Sequence, residues 1–301
     1  MYCDHRTPAR DSLPANEQPI NRQRIYMRQL QNKVAVITGA GSGIGRALAK
    51  AFAAQGCHLA LVDVNQSGLD DTVEALKHFT QLNITTHLCD VSDRLAMAAL
   101  PEQIEQQHGA IHLLFNNAGV TINKPFESHS MEDLDFVLGI DLWGVIYGCH
   151  YFLPYLKKQK EAHIINTSSL AGFLGLPNQS SYCLSKAAVK SLSESLNSEL
   201  AIHNIGVTSI HPGTISTNIL RSAADKSGDA KGSTLKLAAL MERYGMSPDK
   251  LAEKVIKAVL CNKMRVRVGI DSYLGDWFKR LLPRAIHWPL KWGFAKSQIK
   301  H

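Results

Sequence analysis

Tyr182 and Lys186 lie four positions apart in the stretch Ser-Ser-Tyr-Cys-Leu-Ser-Lys, and Ser169 precedes the tyrosine by thirteen positions. On a helix, residues i and i+4 project from the same face. A phenol has an ordinary pKa of about 10, and a nearby ammonium lowers that pKa because it stabilises the phenolate. The three side chains could therefore hold and transfer the proton of an alcohol. Taken alone, such a Tyr/Lys pair is more often a solvated surface pair, so the rest of the chain must decide.

Elements that could position these residues begin at Lys33, where short β-branched runs alternate with helical patterns. Apolar strands that are each followed by a helix predict a parallel sheet with helices on both faces. Right-handed crossovers make such a sheet doubly wound. The strand candidates are Val34–Thr38, Leu59–Asp63, Thr86–Cys89, Leu113–Asn116, His163–Thr167, Val207–His211 and Arg265–Val268. The helix candidates are 43–55, 66–79, 93–108, 131–157, 181–203 and 247–261.

The alternation runs without an internal repeat or a Pro/Gly/Ser-rich linker. We therefore expect one α/β domain over residues 32–270, with the Rossmann fold and a sheet of about seven strands. Residues 1–31 carry three prolines in a polar stretch without helical period, which indicates a flexible N-terminal extension. Residues 271–301 form a basic C-terminal segment rich in tryptophan.

A glycine-rich loop, Thr-Gly-Ala-Gly-Ser-Gly-Ile-Gly, follows the first strand candidate. The common G-x-G-x-x-G spelling fails in both registers, because Ile44 and Arg46 fall where the third glycine should be, whereas T-G-x-x-x-G-x-G fits at every position. Glycines let the backbone approach phosphates, and a helix N-terminus offers unpaired amides. Between a strand and a helix, this loop predicts a site for the pyrophosphate of a dinucleotide. The residues concerned are Gly39, Ser42, Gly43, Ile44 and Gly45.

Asp63 closes the second strand candidate, eighteen residues after Gly45. A carboxylate at this position can accept hydrogen bonds from the ribose 2′-hydroxyl and repels a 2′-phosphate. No Lys or Arg follows within the next three residues. Asp63 therefore favours NAD over NADP as the cofactor, and the alternative is that it only caps a helix or shapes a turn.

With the glycine loop, Asp63 and the Ser/Tyr/Lys set in this chain order, residues 32–270 resemble a single-domain short-chain dehydrogenase/reductase. By this resemblance Ser169, Tyr182 and Lys186 are the catalytic set, and Tyr182 and Lys186 also contact the cofactor. The resemblance implies further contacts to the adenine, the ribose and the nicotinamide carboxamide. Their positions in this chain are Asp90 and Val91, then Asn117, Ala118 and Gly119, and then Pro212, Gly213 and Thr217.

One position departs from the pattern of the family. Asp141 stands where the family usually carries an asparagine, which holds a water that passes protons from the lysine. An aspartate can accept a hydrogen bond from that water but cannot donate one, and it adds a negative charge near Lys186. We include Asp141 in the predicted catalytic set. A catalytically weak, dinucleotide-binding regulator of the same fold is the alternative that this residue leaves open.

The resemblance implies NAD-dependent hydride transfer between a secondary alcohol or ketone and nicotinamide, with Tyr182 as the acid or base. Residues 214–245 should form a lid over the pocket. Its apolar side chains favour an apolar substrate, such as a lipid, steroid, retinoid or medium-chain carbonyl, and we interpret His211 as structural. The side chains expected around the substrate are Phe173, Leu174, Leu176, Ile215, Ile219, Leu220, Leu235, Leu237, Leu240 and Met241.

The net charge of +7 is a local property of the chain. Residues 262–301 contain nine Lys and Arg against two Asp, so this segment alone equals the excess of the whole chain, and it holds three of the four tryptophans. The charge is therefore no indication of nucleic-acid binding by the domain. The segment either packs on a neighbouring subunit or covers the pocket, or it makes a peripheral membrane contact through residues 271–301.

Six scattered cysteines, without a C-x-x-C pair or zinc-ligand spacing, favour a reducing compartment and argue against a disulfide framework and a metal site. No run approaches the roughly 20 apolar residues of a membrane span. We expect a cytoplasmic protein, with attachment to a membrane surface as the alternative. The resemblance implies a homodimer or homotetramer formed through the long helices at 131–157 and 181–203.

Overall fold

Seven parallel strands form the centre of the molecule. The computed structural model describes residues 27–227 and 231–298. The strands are β1 (Val34–Thr38), β2 (His58–Asp63), β3 (Ile84–Leu88), β4 (Leu113–Asn116), β5 (Ala162–Thr167), β6 (Ile205–Pro212) and β7 (Arg265–Val268). Their order across the sheet is β3-β2-β1-β4-β5-β6-β7, and each neighbouring pair is parallel. The predicted doubly wound α/β fold in a single domain is confirmed.

Helices cover both faces of this sheet. They are α1 (Gly43–Ala53), α2 (Gln66–Leu76), α3 (Arg94–His108), α4 (Met131–Leu138), α5 (Gly144–Lys157), α6 (Ser180–Glu199), α7 (Ile219–Ala223), α8 (Lys231–Tyr244), α9 (Pro248–Leu260), α10 (Ile270–Leu281) and α11 (His287–Gln298). Ser247 caps α9 by accepting a hydrogen bond from the Lys250 amide, and Pro248 occupies the first turn. Both features are those that the Ser-Pro pair predicts.

Several element bounds differ from the sequence prediction. β3 begins at Ile84 rather than Thr86, because its pairing with β2 already starts opposite Leu59. The helix predicted over 131–157 contains a π-helical turn, Gly139–Trp143, between α4 and α5. The helix predicted to reach residue 203 ends at Glu199 and continues as a 3-10 turn that stops at Asn204, whose φ of 55° is left-handed.

Two apolar clusters fill the space between the sheet and the helices. One lies under α1 and α9, where the rings of Phe52 and Phe115 meet edge to face at 4.8 Å. The other lies under α3, α5 and α6 and includes Phe152 and Val189. The sheet is therefore buried on both sides, which explains why its central strands read as continuous apolar runs.

The packed domain begins before residue 32. Met27 and Leu30 are buried in the first cluster, and the Cys57 thiol donates a hydrogen bond to the Leu30 carbonyl at 3.1 Å. Residues 27–31 therefore pack on the domain through Met27 and Leu30, although the sequence assigns them to the extension. The remainder of that predicted extension, 1–26, lies outside the described residues.

The C-terminal segment is helical and its first helix is docked. The Ser272 hydroxyl of α10 donates to the His211 carbonyl at 2.8 Å, and the buried Asp276 accepts from Arg267 at 2.9 Å and from Arg280 at 2.8 Å. Pro283 lies between α10 and α11, as its missing amide predicts. The segment predicted to begin after residue 270 therefore starts with a helix, α10, that packs on the domain.

One helical stretch, Met131–Lys157, is long and apolar enough to cross a membrane by length and composition alone. This corrects the expectation that no such run exists. Its buried residues Val145, Phe152 and Leu156 pack in the second apolar cluster, as those of a core helix do. Among the described cysteines, Cys57, Cys89, Cys149 and Cys183 are free. Cys261 is disulfide-bonded, which the cysteine spacing does not predict.

Candidate active site

Loops at the carboxyl edge of the sheet converge on a cavity of about 390 Å³. Parallel strands end together at such an edge, which is where ligands bind in open α/β sheets. Ser169 contributes to the cavity wall, and so does every residue predicted to bind the cofactor. Those residues are Gly39, Ser42, Gly43, Ile44, Gly45, Asp63, Asp90, Val91, Asn117, Ala118, Gly119, Tyr182, Lys186, Pro212, Gly213 and Thr217.

The glycine loop between β1 and α1 requires its glycines for steric reasons. Gly39 and Gly43 have φ values of 66° and 49°, a region that side chains other than glycine rarely adopt. A Cβ at Gly45 would collide with the Gly39 carbonyl. The Ser42 side chain does not cap α1, so the amides of the first turn remain available to an anion in the cavity. The loop therefore fits the pyrophosphate of a dinucleotide.

Asp63 lies at the end of β2 and is held by two backbone amides. Its Oδ2 accepts from the Gly41 amide at 2.8 Å and its Oδ1 from the Asn65 amide at 3.0 Å. Arg46, which follows the glycine loop, bonds the carbonyls of Gly41 and Gly68 and pairs with Asp71 at 3.2 Å. The carboxylate thus has a fixed position in the cavity wall, and the nearest arginine of α1 is engaged beside it.

The Asn-Asn-Ala-Gly segment after β4 is fixed to the end of β1. The Thr38 hydroxyl accepts hydrogen bonds from the amides of Asn117 and Ala118 at 2.9 and 3.0 Å, and it donates to the Phe115 carbonyl at 3.1 Å. The Asn117 side chain donates to the Thr38 carbonyl at 3.0 Å. These bonds keep the two loops in contact, which allows both to line the same cavity.

Ser169, Tyr182 and Lys186 meet at the other end of the cavity. Ser169 begins the 3-10 turn after β5, and Tyr182 and Lys186 share one face of α6. The Lys186 Nζ lies 5.5 Å from the centre of the Tyr182 ring and donates to the Thr167 carbonyl at 3.1 Å. Ser168, by contrast, is buried and donates its hydroxyl to the Lys186 carbonyl at 2.7 Å. Ser168 holds α6 against β5, whereas Ser169 lines the cavity and its Oγ accepts from the Ala171 amide at 3.1 Å.

Burial and several neighbouring groups act on the proton of Tyr182. Burial raises the pKa of the phenol, the Lys186 ammonium lowers it, and the Asp141 carboxylate raises it again. A hydrogen bond with Ser169 acts in the same direction as the ammonium. The net direction is upward, so the sequence expectation of a lowered pKa holds for the effect of Lys186 but not for the phenol as a whole.

Asp141 lies behind the cavity wall, in the π-helical turn that precedes α5. Its carboxylate is fully buried, accepts from the Val120 amide at 2.7 Å and forms an ion pair with Lys186 at 2.9 Å. Burial lowers the pKa of the Lys186 ammonium, but Asp141 and Tyr182 outweigh this effect and raise it. The departure from the family pattern therefore places a carboxylate in direct contact with the lysine, and π-helical turns are frequent at functional sites.

His211 supports this end of the cavity from behind. Burial lowers the pKa of its imidazole to about 4, so the ring is neutral near pH 7. Its Nδ1 lies 3.2 Å from the Ser169 carbonyl, its Nε2 lies 2.7 Å from the Ser209 hydroxyl, and the Phe173 ring stacks on it at 4.2 Å. A neutral ring that donates through Nδ1 and accepts at Nε2 satisfies both contacts. His211 thus positions the turn that carries Ser169.

The apolar wall of the cavity differs in part from the prediction. Ile215, Ile219 and Met241 of the predicted lid line it, whereas Leu240 is 54% exposed. The wall does not include the other apolar side chains expected there. Phe173 packs on His211, Leu174 and Leu220 are buried, and the remaining ones are not part of the wall. Those others are Leu176, Leu235 and Leu237.

Some residues of the wall carry no signal in the sequence. Phe136 and Ile140 reach it from α4 and the π turn, and Lys226 reaches it from the short turn after α7, with its ammonium 4.3 Å from the Phe136 ring. Val120 and Thr121 follow the Asn-Asn-Ala-Gly segment. Val120 and Thr121 could be predicted from the sequence as neighbours of that motif. The positions of Phe136, Ile140 and Lys226 depend on how helices distant in the chain pack together.

Comparisons with known proteins agree with this geometry. The family model described as short chain dehydrogenase matches residues 33–228. The chain belongs to the short-chain dehydrogenase family. The Mycobacterium tuberculosis protein SadH is 33% identical over 273 residues, which cover 90% of this chain and 98% of SadH. The 3-oxoacyl-[acyl-carrier-protein] reductase FabG of Thermotoga maritima is 32% identical over 228 residues, covering 76% and 90%.

A solved structure extends the similarity to the whole fold. The short-chain dehydrogenase/reductase of Burkholderia phymatum, crystallised in complex with NAD, superposes with a TM-score of 0.78 at 30% identity, covering 84% of this chain and 95% of its own. The resemblance predicted from the motifs is confirmed. As a short-chain dehydrogenase, the protein is an oxidoreductase whose cavity fits a nicotinamide dinucleotide.

Proposed function

We propose that this short-chain dehydrogenase catalyses NAD-dependent oxidation of a secondary alcohol or reduction of the corresponding ketone. The observation that carries the proposal is the convergence of Ser169, Tyr182 and Lys186 on the same cavity as the glycine loop and Asp63. A proton-transferring phenol at one end and an anion-binding helix terminus at the other match the two ends of a dinucleotide and its reaction partner.

Nicotinamide, when bound, accepts or supplies the hydride. In oxidation the C–H bond of the alcohol breaks with its electron pair, the O–H proton passes to the Tyr182 phenolate, and the carbonyl forms. In reduction the Tyr182 phenol donates that proton to the developing alkoxide. Ser169 orients the substrate oxygen by hydrogen bonding, and Lys186 favours the phenolate through its charge. Asp141 keeps Lys186 charged and holds its ammonium near Thr167 and Tyr182.

The preference for NAD over NADP is supported by Asp63. Hydrogen bonds from two backbone amides fix its carboxylate in the cavity wall where β2 ends. Val64, the next residue in the wall, offers no positive charge to a 2′-phosphate. A 2′-phosphate would place two negative groups side by side, whereas a 2′-hydroxyl can donate to the carboxylate. Arg46 is engaged with Asp71 and the loop carbonyls, so it does not compensate.

The substrate that the wall supports best is apolar. Phe136, Ile140, Ile219 and Met241 line the same cavity as Ser169 and Tyr182. The name of the relative FabG specifies a reduction of a 3-oxoacyl group, which is a ketone on an acyl chain. We therefore propose a secondary alcohol or ketone on an aliphatic or polycyclic apolar body. A cytoplasmic location and assembly into a homodimer or homotetramer remain predictions.

The experiment that tests this function is a screen of secondary alcohols and ketones of increasing chain length. The purified full chain is incubated with each compound and with NAD(H) or NADP(H), and absorbance of the reduced nicotinamide is followed. Turnover with apolar members and NAD(H) is the expected result. Turnover confined to small polar members, or to NADP(H), would contradict the substrate class or the cofactor preference separately.

A second candidate function rests on the ion pair between Asp141 and Lys186. Because the carboxylate of Asp141 partly neutralises Lys186, the ammonium stabilises the Tyr182 phenolate less. A regulator that binds a dinucleotide without turnover does not need that stabilisation. NADH binding by fluorescence titration, combined with absence of turnover across the whole screen, would favour this regulator over the enzyme.

A further inference from the structure

The two faces of α10 have an unusual polarity. Ser272 and Asp276 are buried against the domain, whereas the apolar side chains of the helix lie outside, from Tyr273 at 46% exposure to Ile270 at 79%. The outer residues recur three and four positions apart, which makes one continuous stripe. They are Ile270, Tyr273, Leu274, Trp277, Phe278 and Leu281. An ordinary surface helix has the reverse arrangement, with its apolar stripe toward the core.

Polar contacts hold α10 in this orientation. Asp271 accepts from the Thr214 amide at 2.6 Å, Ser272 donates to the His211 carbonyl, and Asp276 pairs with Arg267. Gly275 lies so close to Leu170 that a Cβ would collide with its side chain. The helix is therefore anchored through its polar face, and this anchoring leaves the apolar stripe facing outward.

The next helix, α11, adds aromatic side chains on the outside. Trp288 and Trp292 are 77% and 64% exposed, and the Lys296 ammonium lies 3.7 Å from the Trp292 ring. Leu281 and Leu282, also exposed, lie along the chain between the stripe of α10 and these tryptophans. A soluble monomer rarely exposes so many large apolar side chains in one place, and such patches usually mark an interaction surface.

The charges around this surface are of one sign. Within residues 270–298 the acidic side chains are Asp271 and Asp276, and both are engaged on the inner face of α10. One basic side chain, Arg280, pairs with Asp276, and all of the basic side chains of this segment lie on or between the two helices that carry the exposed aromatic residues. They are Lys279, Arg280, Arg284, Lys291 and Lys296. A partner for this surface must accept apolar side chains and supply negative charge.

We propose that the outer faces of α10 and α11 form a lipid attachment surface that binds anionic bilayers. Trp and Leu side chains would lie at the boundary between headgroups and acyl chains, and the cations would bind the lipid phosphates. A second copy of the chain fits less well, because a twofold interface would bring the same positive charges together. The proposal goes beyond the proposed function and does not depend on it.

Sedimentation of the full chain with lipid vesicles tests this surface. The vesicles are phosphatidylcholine, with and without phosphatidylglycerol, at low and high salt. We expect binding to the anionic vesicles only, with a blue shift of tryptophan fluorescence and weakening at high salt, where charges are screened within about 3 Å. The Arg284→Glu/Lys291→Glu pair and, separately, the Trp277→Ser/Phe278→Ser pair should each lower the partition coefficient by roughly 10-fold or more.

The matched control is the Lys254→Glu/Lys257→Glu pair, which makes the same charge change at exposed positions of α9. This control should bind the anionic vesicles much more strongly than either test variant does, and close to the level of the unmodified chain. Circular dichroism and NADH titration establish that each variant is folded. The proposal is overturned if the unmodified chain does not sediment with anionic vesicles, or if the α9 control loses binding to the same extent. It is also overturned if the α10 and α11 variants change the oligomeric state of the protein but not its binding to vesicles, because the surface then contacts a second copy.

Discussion

At the glycine-loop end of the cleft the wall consists largely of backbone, whereas at the lid end it consists of side chains from separate helices. Gly39, Gly43 and Gly45 allow the chain to approach a ligand, and the position of Asp63 is fixed by amides two residues away and from the loop itself. At the lid end, Phe136, Met241 and Lys226 come together from elements far apart in the chain.

This difference explains why the two ends can change independently. The backbone end is determined by φ values, helix termini and strand register, which tolerate few residues at each position. The side-chain end is determined by volume and polarity, which many residues can satisfy. We therefore expect cofactor chemistry to depend on single positions and substrate choice to depend on the sum of several contacts.

Among substitutions at either end of the cavity, Tyr182→Phe should lower kcat most. Removing the hydroxyl removes the proton acceptor, and general acid–base catalysis contributes roughly 10²–10⁴-fold to rate. We expect kcat to fall by that order while the dissociation constant of NADH, from fluorescence titration, stays nearly unchanged. Tyr155→Phe, on α5 and outside the cavity, is the control. A Tyr182→Phe variant with more than a small residual activity would exclude the phenol as the acid or base.

The Asp63→Ala/Val64→Arg pair tests the backbone end. It removes the repelling carboxylate and adds a cation that can bond a 2′-phosphate, an interaction of about 1.5–3 kcal/mol. The ratio of kcat/KM for NADP to that for NAD should rise by roughly 10–100-fold. Asp70→Ala, on the exposed side of α2, should leave the ratio unchanged. If the ratio does not respond, Asp63 only shapes the turn.

Met241→Ala tests the side-chain end. The truncation enlarges the cavity that Met241 lines, and differences of this size in an apolar pocket discriminate substrates by roughly 10-fold. Measured as kcat/KM across a series of ketones, the preferred chain length should increase. Leu240→Ala removes an exposed neighbour on the same helix and should leave the series as it is. Equal effects of both variants would mean that α8 does not face the substrate.

Of the substitutions considered, Asp141→Asn should change kcat least, and its main effect should be on the pH profile. Asp141 raises the pKa of Tyr182, and oxidation requires the phenolate, so kcat/KM for alcohol oxidation increases with pH through that pKa. Removing the carboxylate lowers the pKa, and the rising limb should move to lower pH. Asp135→Asn, exposed on α4, is the control. An unshifted or upward-shifted limb, in a variant with an unchanged melting temperature, would show that Asp141 does not act through Tyr182.

Much of the fold follows from local pattern. The bounds of β1, β4 and β7 agree with the predicted runs. The clearest case is β1, where an apolar, mostly β-branched run ends at the glycine loop. The pattern predicts the start of β3 two residues late, because that start is determined by pairing with β2. The π turn at Gly139–Trp143 has no local signature, because it depends on how α4 and α5 pack over the sheet.

Sequence alone determined the order of strand, glycine loop, acidic residue and Ser/Tyr/Lys set. Each of these acts through local geometry that few residue types satisfy. Only the tertiary structure decided that Asp141 pairs with Lys186, that His211 bonds the Ser169 turn, and that α10 turns its apolar stripe outward. These three features join residues more than 40 positions apart, or depend on which face of a helix a neighbour covers. Periodicity shows that a helix has two faces, but only packing determines which one faces the protein.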